Sequence, residues 1–530
     1  MTSEPGPTAP PSGADAGERA YRRRIHAWAL YDWADHAYVT VTATSFFPPH
    51  FVAIAAPAFL AAGAIGAEAT ARARDTASNV YAVTVSAALL VVAIVAPLVG
   101  TIADLTGRRK RLLLTVTGAG AVVAAAMVAV TTGRWVLALA LYFTSQVAVN
   151  VALGLNSSLL PHVARGDDLG RASSLGYALG YVGGGLLLAV ATAVFLAADR
   201  IGIGRDVVVR AAFLAVGAWW LGFSLPLALV VPEPAALPLA HGGGRGVLRD
   251  ALIRLRHTLA DLRRYRQTFT MLVAFWLYME GIGAIILLAT AYGAALGLPT
   301  SALVATLLLT QFVAFPYALA FGRLPDPAFR WRGAVVAMVG WTAVTVPALG
   351  ALANHRGGLG TGATIALLAA DQALGAALAA LLGRRLLGPL AARLDAKRAV
   401  MLGLAVYAIV PVWGFFLRTP AEFFMIGLLV GTVQGGTQAL SRSIYAQLTP
   451  RAKSGEFFGI YALSEKFAGI LAPLAYGVVG ALTHDPRASI LSIVAFFALG
   501  ILVLSRVDVA AGARVAAADE AVIEATHAAD

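Results

Sequence analysis

Asp32, Asp35 and His36 stand close together in the first long apolar stretch of the chain. On a helix, offsets of three and four residues place all three on one face. Neighbouring carboxylates raise each other's proton affinity, and burial adds to that effect. One reading is therefore a proton acceptor working near neutral pH, with His36 as a second titratable group. The other is structural. Asp32 lies only about 8–10 Å along the helix from its entry point, where a carboxylate caps the helix or pairs with a basic loop. Glu280, in Tyr278-Met-Glu280-Gly281-Ile-Gly283, sits in the middle of a later apolar run, too deep to snorkel to water. Lys466 is the only lysine inside such a run. It can hold a substrate carboxylate or neutralise Asp32 or Glu280, whereas adjacent Glu465 points about 100° away round the helix. A charge kept in an apolar span is expensive, which makes each of these groups a functional candidate.

Amides form a second set. Gln146, Asn150 and Asn156 share one run, and Gln434, Gln438 and Arg442 share another, at or near a four-residue spacing. Such side chains orient zwitterions, sugars or peptides without naming the ligand. Hydrogen bonding between helices is the competing role, at about 0.6–2 kcal/mol per contact. Arg442 lies near the end of its run, where a gate network with Glu456 is expected. Asp371, beside Gln372 in a further run, has no role that the sequence supplies.

The elements that position these groups are membrane helices. Of the 530 residues, 59% are hydrophobic and 13% charged, a composition outside every soluble globular class. Apolar runs of spanning length lie at 27–52, 79–101, 112–132, 135–160, 173–197 and 210–231, then at 268–292, 301–322, 333–353, 360–383, 399–417, 422–446, 457–482 and 488–506. The formal charge of +12 does not point to nucleic acid. About 29 of the 40 Lys and Arg fall in loops on one side and about 9 on the other, the positive-inside pattern. The chain has no cysteine and no zinc-ligand spacing, and no phosphate-binding glycine loop that would signal ATP-driven pumping. No cofactor or metal is expected. Residues 1–24 are expected to be a disordered tail, with no signal peptide. Both termini are placed on the cytoplasmic side of a bacterial cytoplasmic membrane.

One loop stands out among the basic ones: Gly100-Thr-Ile-Ala-Asp104-Leu-Thr-Gly107-Arg108-Arg109-Lys-Arg111. Gly107 allows a tight reversal. Asp104 can pair with the arginines or face a helix N-terminus. This order of glycines, aspartate and bases resembles the signature loop of the major facilitator superfamily of transporters. A degenerate echo, Gly388-Pro-Leu-Ala-Ala392-Arg393-Leu-Asp395-Ala-Lys397-Arg398, occurs in the second half. Leu160-Pro161 with Gly176-Tyr177-Ala178-Leu179 is likewise echoed by Leu448-Thr-Pro450 with Ile460-Tyr461-Ala462-Leu463. Parallel repeats joined by a long loop fit that superfamily's fold. The expected fold is an all-α polytopic membrane protein with two pseudo-symmetric six-helix bundles and an inserted hairpin, fourteen spans in all. The boundaries are 25–231 for the first bundle, 232–267 for the linker, 268–324 with 388–506 for the second bundle, 325–387 for the hairpin and 507–530 for a tail that includes a short surface helix.

Longer motifs narrow the resemblance. They are Tyr31-Asp32-Trp33-Ala34-Asp35-His36-Ala37-Tyr38, Ser173 to Gly184, Gly431 to Ser443, and Glu456 to Leu463 with Lys466-Phe467. Together they resemble the vacuolar amino-acid effluxers of autophagy and their bacterial relatives. The inserted hairpin, Asp35 and His36 depart from that pattern. The resemblance implies a secondary transporter, not an enzyme, that moves a small polar solute by alternating access, with amino acids the leading class. The acids in the apolar runs add proton coupling through Asp35, Asp32 or Glu280 as a further expectation. In this fold the basic loop at 104–111, with Gly100, Gly107, Arg108, Arg109 and Arg442, would latch the inward-closed arrangement through pairs that break on switching. A lipid flippase of the same fold and a non-transporting membrane scaffold are the alternatives. The expected partners are a small-molecule substrate and membrane lipid, and the expected state is a monomer.

Overall fold

The computed structural model describes residues 13–60, 66–236, 246–260, 264–355, 361–467 and 469–529. Among these residues the chain is helical, with no strand. Helix α1 (Gly13–Ala37) continues through a wide-turn stretch, Tyr38–Phe46, into α2 (Phe47–Ala55). Pro48 and Pro49 have no amide hydrogen to close the preceding turns, which fits the widened winding there. Next come α3 (Ala67–Thr106), α4 (Arg109–Ala126), α5 (Trp135–Val163), α6 (Leu169–Ala197) and α7 (Arg205–Val230). A shorter helix, α8 (Val247–Ala260), precedes α9 (Arg266–Ala295), α10 (Thr300–Gly322), α11 (Arg332–His355) and α12 (Thr361–Leu378). Two brief turns, α13 (Arg384–Leu386) and α14 (Gly388–Ala391), lead into α15 (Ala396–Phe416) and α16 (Pro420–Gln447). The chain ends with α17 (Ser454–Phe467), α18 (Leu471–Thr483), α19 (Pro486–Leu491), α20 (Val494–Ser505) and α21 (Val509–Ala529).

Thirteen helices among the described residues are long and apolar enough to cross a membrane. The expected run at 457–482 is the one that differs. It is divided into α17 and α18, with Gly469 at φ +147° between them. That conformation strains any residue with a Cβ, so the glycine permits the break. The expected N-terminal tail also differs. Residues 1–12 lie outside the described residues, but α1 begins at Gly13. The Tyr21 hydroxyl donates to Asp168 at 3.0 Å and accepts from the Arg165 amide at 2.9 Å, which ties this extension to the α5–α6 loop.

Leu90, Ile94, Leu229 and Leu482 are more than half exposed, as expected of surfaces that face lipid rather than water. Inside, Trp28, Tyr31, Tyr38, Trp220, Tyr278 and Tyr407 are fully buried. Helix α1 packs on α6 and α7, α3 on α17, and α10 on α6 and α16. Helices α11 and α12 pack on each other and on α16. Asp371 is satisfied within that hairpin. It accepts from Trp341 at 3.2 Å, Thr345 at 3.0 Å and Gln372 at 2.9 Å.

Candidate functional site

Asp32 is fully buried and meets Arg442 of α16 at 2.8 Å. Its other oxygen accepts from Asn156 of α5, also at 2.8 Å. Arg442 also donates to Ser173, at 2.9 Å from Nε to the hydroxyl and 3.0 Å from Nη2 to the carbonyl. The guanidinium also lies over the Tyr177 ring at 4.4 Å and the Trp28 ring at 5.0 Å. One ion pair thus joins α1 to α16 across 410 residues of sequence, with donors and π faces arranged round the cation. The expected partnership of Arg442 with Glu456 is not what the structure shows. Asp32, in the last third of α1, lies level with Arg442, near the C-terminal end of α16, and takes the guanidinium, while Glu456 faces Arg254 at 3.7 Å.

Asp35 lies one turn further along α1 and is also fully buried. One oxygen meets His36 Nδ1 at 2.8 Å. The other has no hydrogen-bond partner among the described residues. The three side chains therefore do not act as one cluster: Asp32 has Arg442, and Asp35 has His36. His36 stands edge-on to Tyr177 and Tyr181, with ring centroids 6.1 and 5.9 Å away. The Tyr181 hydroxyl donates to Gln438 at 2.7 Å, which connects this second pair to α16 as well. Helix α6 makes room for both pairs with glycines. A Cβ on Gly176 would collide with the Asp32 carboxylate and lie 2.9 Å from Arg442, and one on Gly180 would lie 2.7 Å from His36 Nδ1.

Among the described residues, no hydrogen bond or ion pair joins Asn150, Gln434 or Glu280 to this centre. Asn150 donates to the Gln146 carbonyl at 2.6 Å, a bond within its own helix. Gln434 is buried on α16, one turn before Gln438. Glu280 is fully buried in α9 and accepts from the backbone amides of Gly469 at 3.1 Å and Ala472 at 3.0 Å. It therefore caps the start of α18 at the break. Lys466 belongs to α17, but its side chain lies outside the described residues.

The basic loop forms a separate assembly. Gly107 closes α3 with φ +60°, and Arg108 is the residue before α4. Asp104 fulfils both sequence expectations at once. It meets Arg109 at 2.6 Å and accepts from the amides of Gly455 at 2.8 Å and Glu456 at 2.9 Å, in the first turn of α17. Arg109 is fully buried and also donates to the Ala452 carbonyl at 2.6 Å. A Cβ on Gly100 would overlap the Gly455 carbonyl, so α3 and α17 touch here backbone to backbone. The C-terminal ends of α3, α10 and α16 and the N-terminal ends of α6 and α17 are thus closed together on the face that carries the basic loop.

Ser173, Tyr177 and Tyr181 belong to the sequence motifs but are not among the expected site residues, because none is a charged side chain, histidine or amide in an apolar run. Glu233, which accepts from the amides of Lys110 at 2.6 Å and Arg111 at 3.2 Å, gave no sequence signal.

A bundle of long apolar helices with charge pairs buried between its first and second halves is the architecture of a major facilitator-type membrane transporter. A family model described as vacuole effluxer Atg22 like matches residues 20–381 and 361–517, and the chain belongs to that family. A Bacillus subtilis (strain 168) protein called uncharacterized MFS-type transporter YxiO is 27% identical over 489 residues, 92% of this chain and 95% of that protein. Autophagy-related protein 22-1 of Aspergillus fumigatus is 26% identical over 366 residues, 65% of this chain and 49% of that protein. Among solved structures, the human organic anion transporter MFSD10 (TETRAN) is similar with a TM-score of 0.57 at 14% identity, over 91% of this chain and 99% of that one. The transporter FucP in its outward conformation is similar with a TM-score of 0.56 at 11% identity, over 92% of this chain and 100% of that one. These structural likenesses establish the fold. The chain is a multi-pass integral membrane transporter, not an enzyme.

Proposed function

We propose that this protein is a secondary transporter that moves a small polar solute, an amino acid or related metabolite, by alternating access. On this reading it sits in a bacterial cytoplasmic membrane with both termini inside. Residues 25–231 form one bundle, 268–324 with 388–506 form the other, and 325–387 are an inserted hairpin. The observation that carries the proposal is the buried Asp32–Arg442 pair between α1 and α16, one helical turn from Asp35–His36. A charge pair buried between two moving bodies is a switch. Solute that competes for one partner loosens the contact that holds the bodies together.

The chemistry suits a zwitterion. Its carboxylate competes with Asp32 for Arg442, and its ammonium meets the unpartnered oxygen of Asp35. Tyr181 and Gln438 supply neutral hydrogen-bonding groups beside these charges. Asp35–His36 is the proposed proton-coupling pair, because solute arriving at Asp35 competes with any proton held there. The loop from Asp104 to Arg109 is the proposed gate for the closed face. Membership of a family whose model is described as vacuole effluxer Atg22 like supports the general class.

Counterflow in proteoliposomes tests this reading. Purified protein preloaded with an amino-acid pool should accelerate entry of labelled members of that pool. Absence of exchange with every amino acid would remove the substrate class. Flux that is identical with the pH gradient intact and collapsed by ionophore would remove proton coupling.

A further inference from the structure

Helix α8 lies in the linker between the proposed bundles and packs against α3. Its inner face is set by Asp250, Ala251 and Thr258, all buried, and by half-buried Arg254. The outer face carries Leu248 and Leu252, each more than half exposed, and Ile253 at 40% exposure. Arg249 and Arg256 are exposed beside them and make no ion pair among the described residues. A short helix that shows leucines and arginines together on its outer side is unfavourable in water. It is well placed at a bilayer interface.

Next to this face is an apolar cavity of about 210 Å³. Its walls include Ile94, Pro97 and Leu98 of α3, Leu252 and Leu255 of α8, and Ile460 of α17. Ile94 is 66% exposed, so the cavity borders the surface that faces lipid. It also touches the gate. Pro97 and Gly459 are in close contact across α3 and α17, and Arg254 reaches Glu456 at 3.7 Å on the inner side of α8.

We propose that this groove binds an anionic phospholipid. An acyl chain occupies the space between α3, α8 and α17, and the phosphate is met by Arg249 and Arg256. Charge complementarity selects this occupant. The exposed groups are two arginines with no compensating acid on the outer face, and the cavity is lined by hydrocarbon. The bound lipid holds α8 against α3, and through Arg254 and Glu456 it favours the closed gate. The inference does not depend on the identity of the transported solute.

The test uses the full chain purified in detergent. Dioleoyl-phosphatidylglycerol or dioleoyl-phosphatidylcholine is added at equal mole fraction while unfolding is followed by tryptophan fluorescence. The anionic lipid should raise Tm by at least about 2 °C, because binding to the folded state alone stabilises it, and the zwitterionic lipid should raise it less. The Arg249→Glu/Arg256→Glu chain should keep its Tm in detergent but lose the response, and Leu252→Asn should weaken it. If charge reversal lowers the Tm in detergent, Arg249→Gln/Arg256→Gln decides instead. Native mass spectrometry should show phosphatidylglycerol retained by the unaltered chain and depleted from the variant. Equal shifts with both lipids, no shift with either, or a full response in the arginine variants would overturn the proposal.

Discussion

Asp32 and Asp104 are both fully buried carboxylates paired with arginine, yet they are held in different ways. Asp104 is fixed by Arg109 and by two backbone amides at the start of α17. Backbone donors on a helix terminus move only when the helix moves. Asp32 is held by the side chains of Arg442 and Asn156, and adjacent Asp35 keeps one oxygen without a partner. Side-chain pairs can be exchanged for a solute one at a time. On the proposed reading, the contrast separates a latch that opens as a unit from a centre that can exchange partners.

The largest effect should come from breaking the centre on one side only. Arg442→Leu leaves a buried carboxylate without its cation, which costs about 3–5 kcal/mol. A marked fall in Tm and loss of counterflow are the expected results. Asp32→Asn with Arg442→Gln removes both charges and should recover much of the stability but not the transport. Recovery of both would make the pair structural and erase the contrast with Asp104.

Gly176→Ala comes next, because its methyl group enters the space of Asp32 and Arg442. Overpacking of this kind costs about 1–3 kcal/mol, read as a lower Tm. The same substitution at Gly118, whose Cβ would meet nothing within 4 Å, is the control. Asp104→Asn should slow counterflow severalfold with a smaller Tm change than Arg442→Leu, since the amide keeps an oxygen for one backbone donor. Unchanged flux would deny the loop its gating role.

The smallest effect concerns α21, which braces the same turn from outside. Glu520 accepts from the Ala452 amide at 3.0 Å, and Asp519 meets Lys453 at 2.7 Å and Arg264 at 2.6 Å. Partial burial alone would raise the Asp519 carboxyl. Hydrogen bonds from Lys453 and Tyr265 and the nearby positive charges outweigh it and hold the group below its usual range. A carboxyl lowered on folding stabilises above its unfolded pKa, about 3.9, and that contribution disappears as pH falls through the folded value. Proteolysis of α21 should therefore be unchanged between pH 7 and 5. Asp519→Asn should be modestly more susceptible than the unaltered chain throughout that window.

The proposed gate was more legible in the sequence than the centre, for a physical reason. Asp104, Gly107 and Arg109 act within a few residues of one another, so spacing conveys their geometry. The nearby helix terminus that Asp104 also needs was expected as a type of partner, though not as α17. Asp32 and Arg442 meet only after most of the chain has folded between them, and spacing along α1 suggested a joint cluster that the structure divides into two pairs. The break at Gly469 was missed because 457–482 is apolar enough to read as one span. Its local marks are a glycine in a chain that contains 54 of them and Pro473, which falls in the first turn of α18.

The central claim is that the closed face must open during each transport cycle, with α16 moving away from α6. The chain has no cysteine, so a cross-link can be placed without background. A Cβ on Gly170 would lie 3.7 Å from the Ser443 hydroxyl oxygen. Gly170→Cys with Ser443→Cys should therefore join α6 to α16 on oxidation. Counterflow of the solute identified in proteoliposomes should fall at least about tenfold when the disulfide forms and return on reduction. Undiminished flux through fully cross-linked protein would contradict the account.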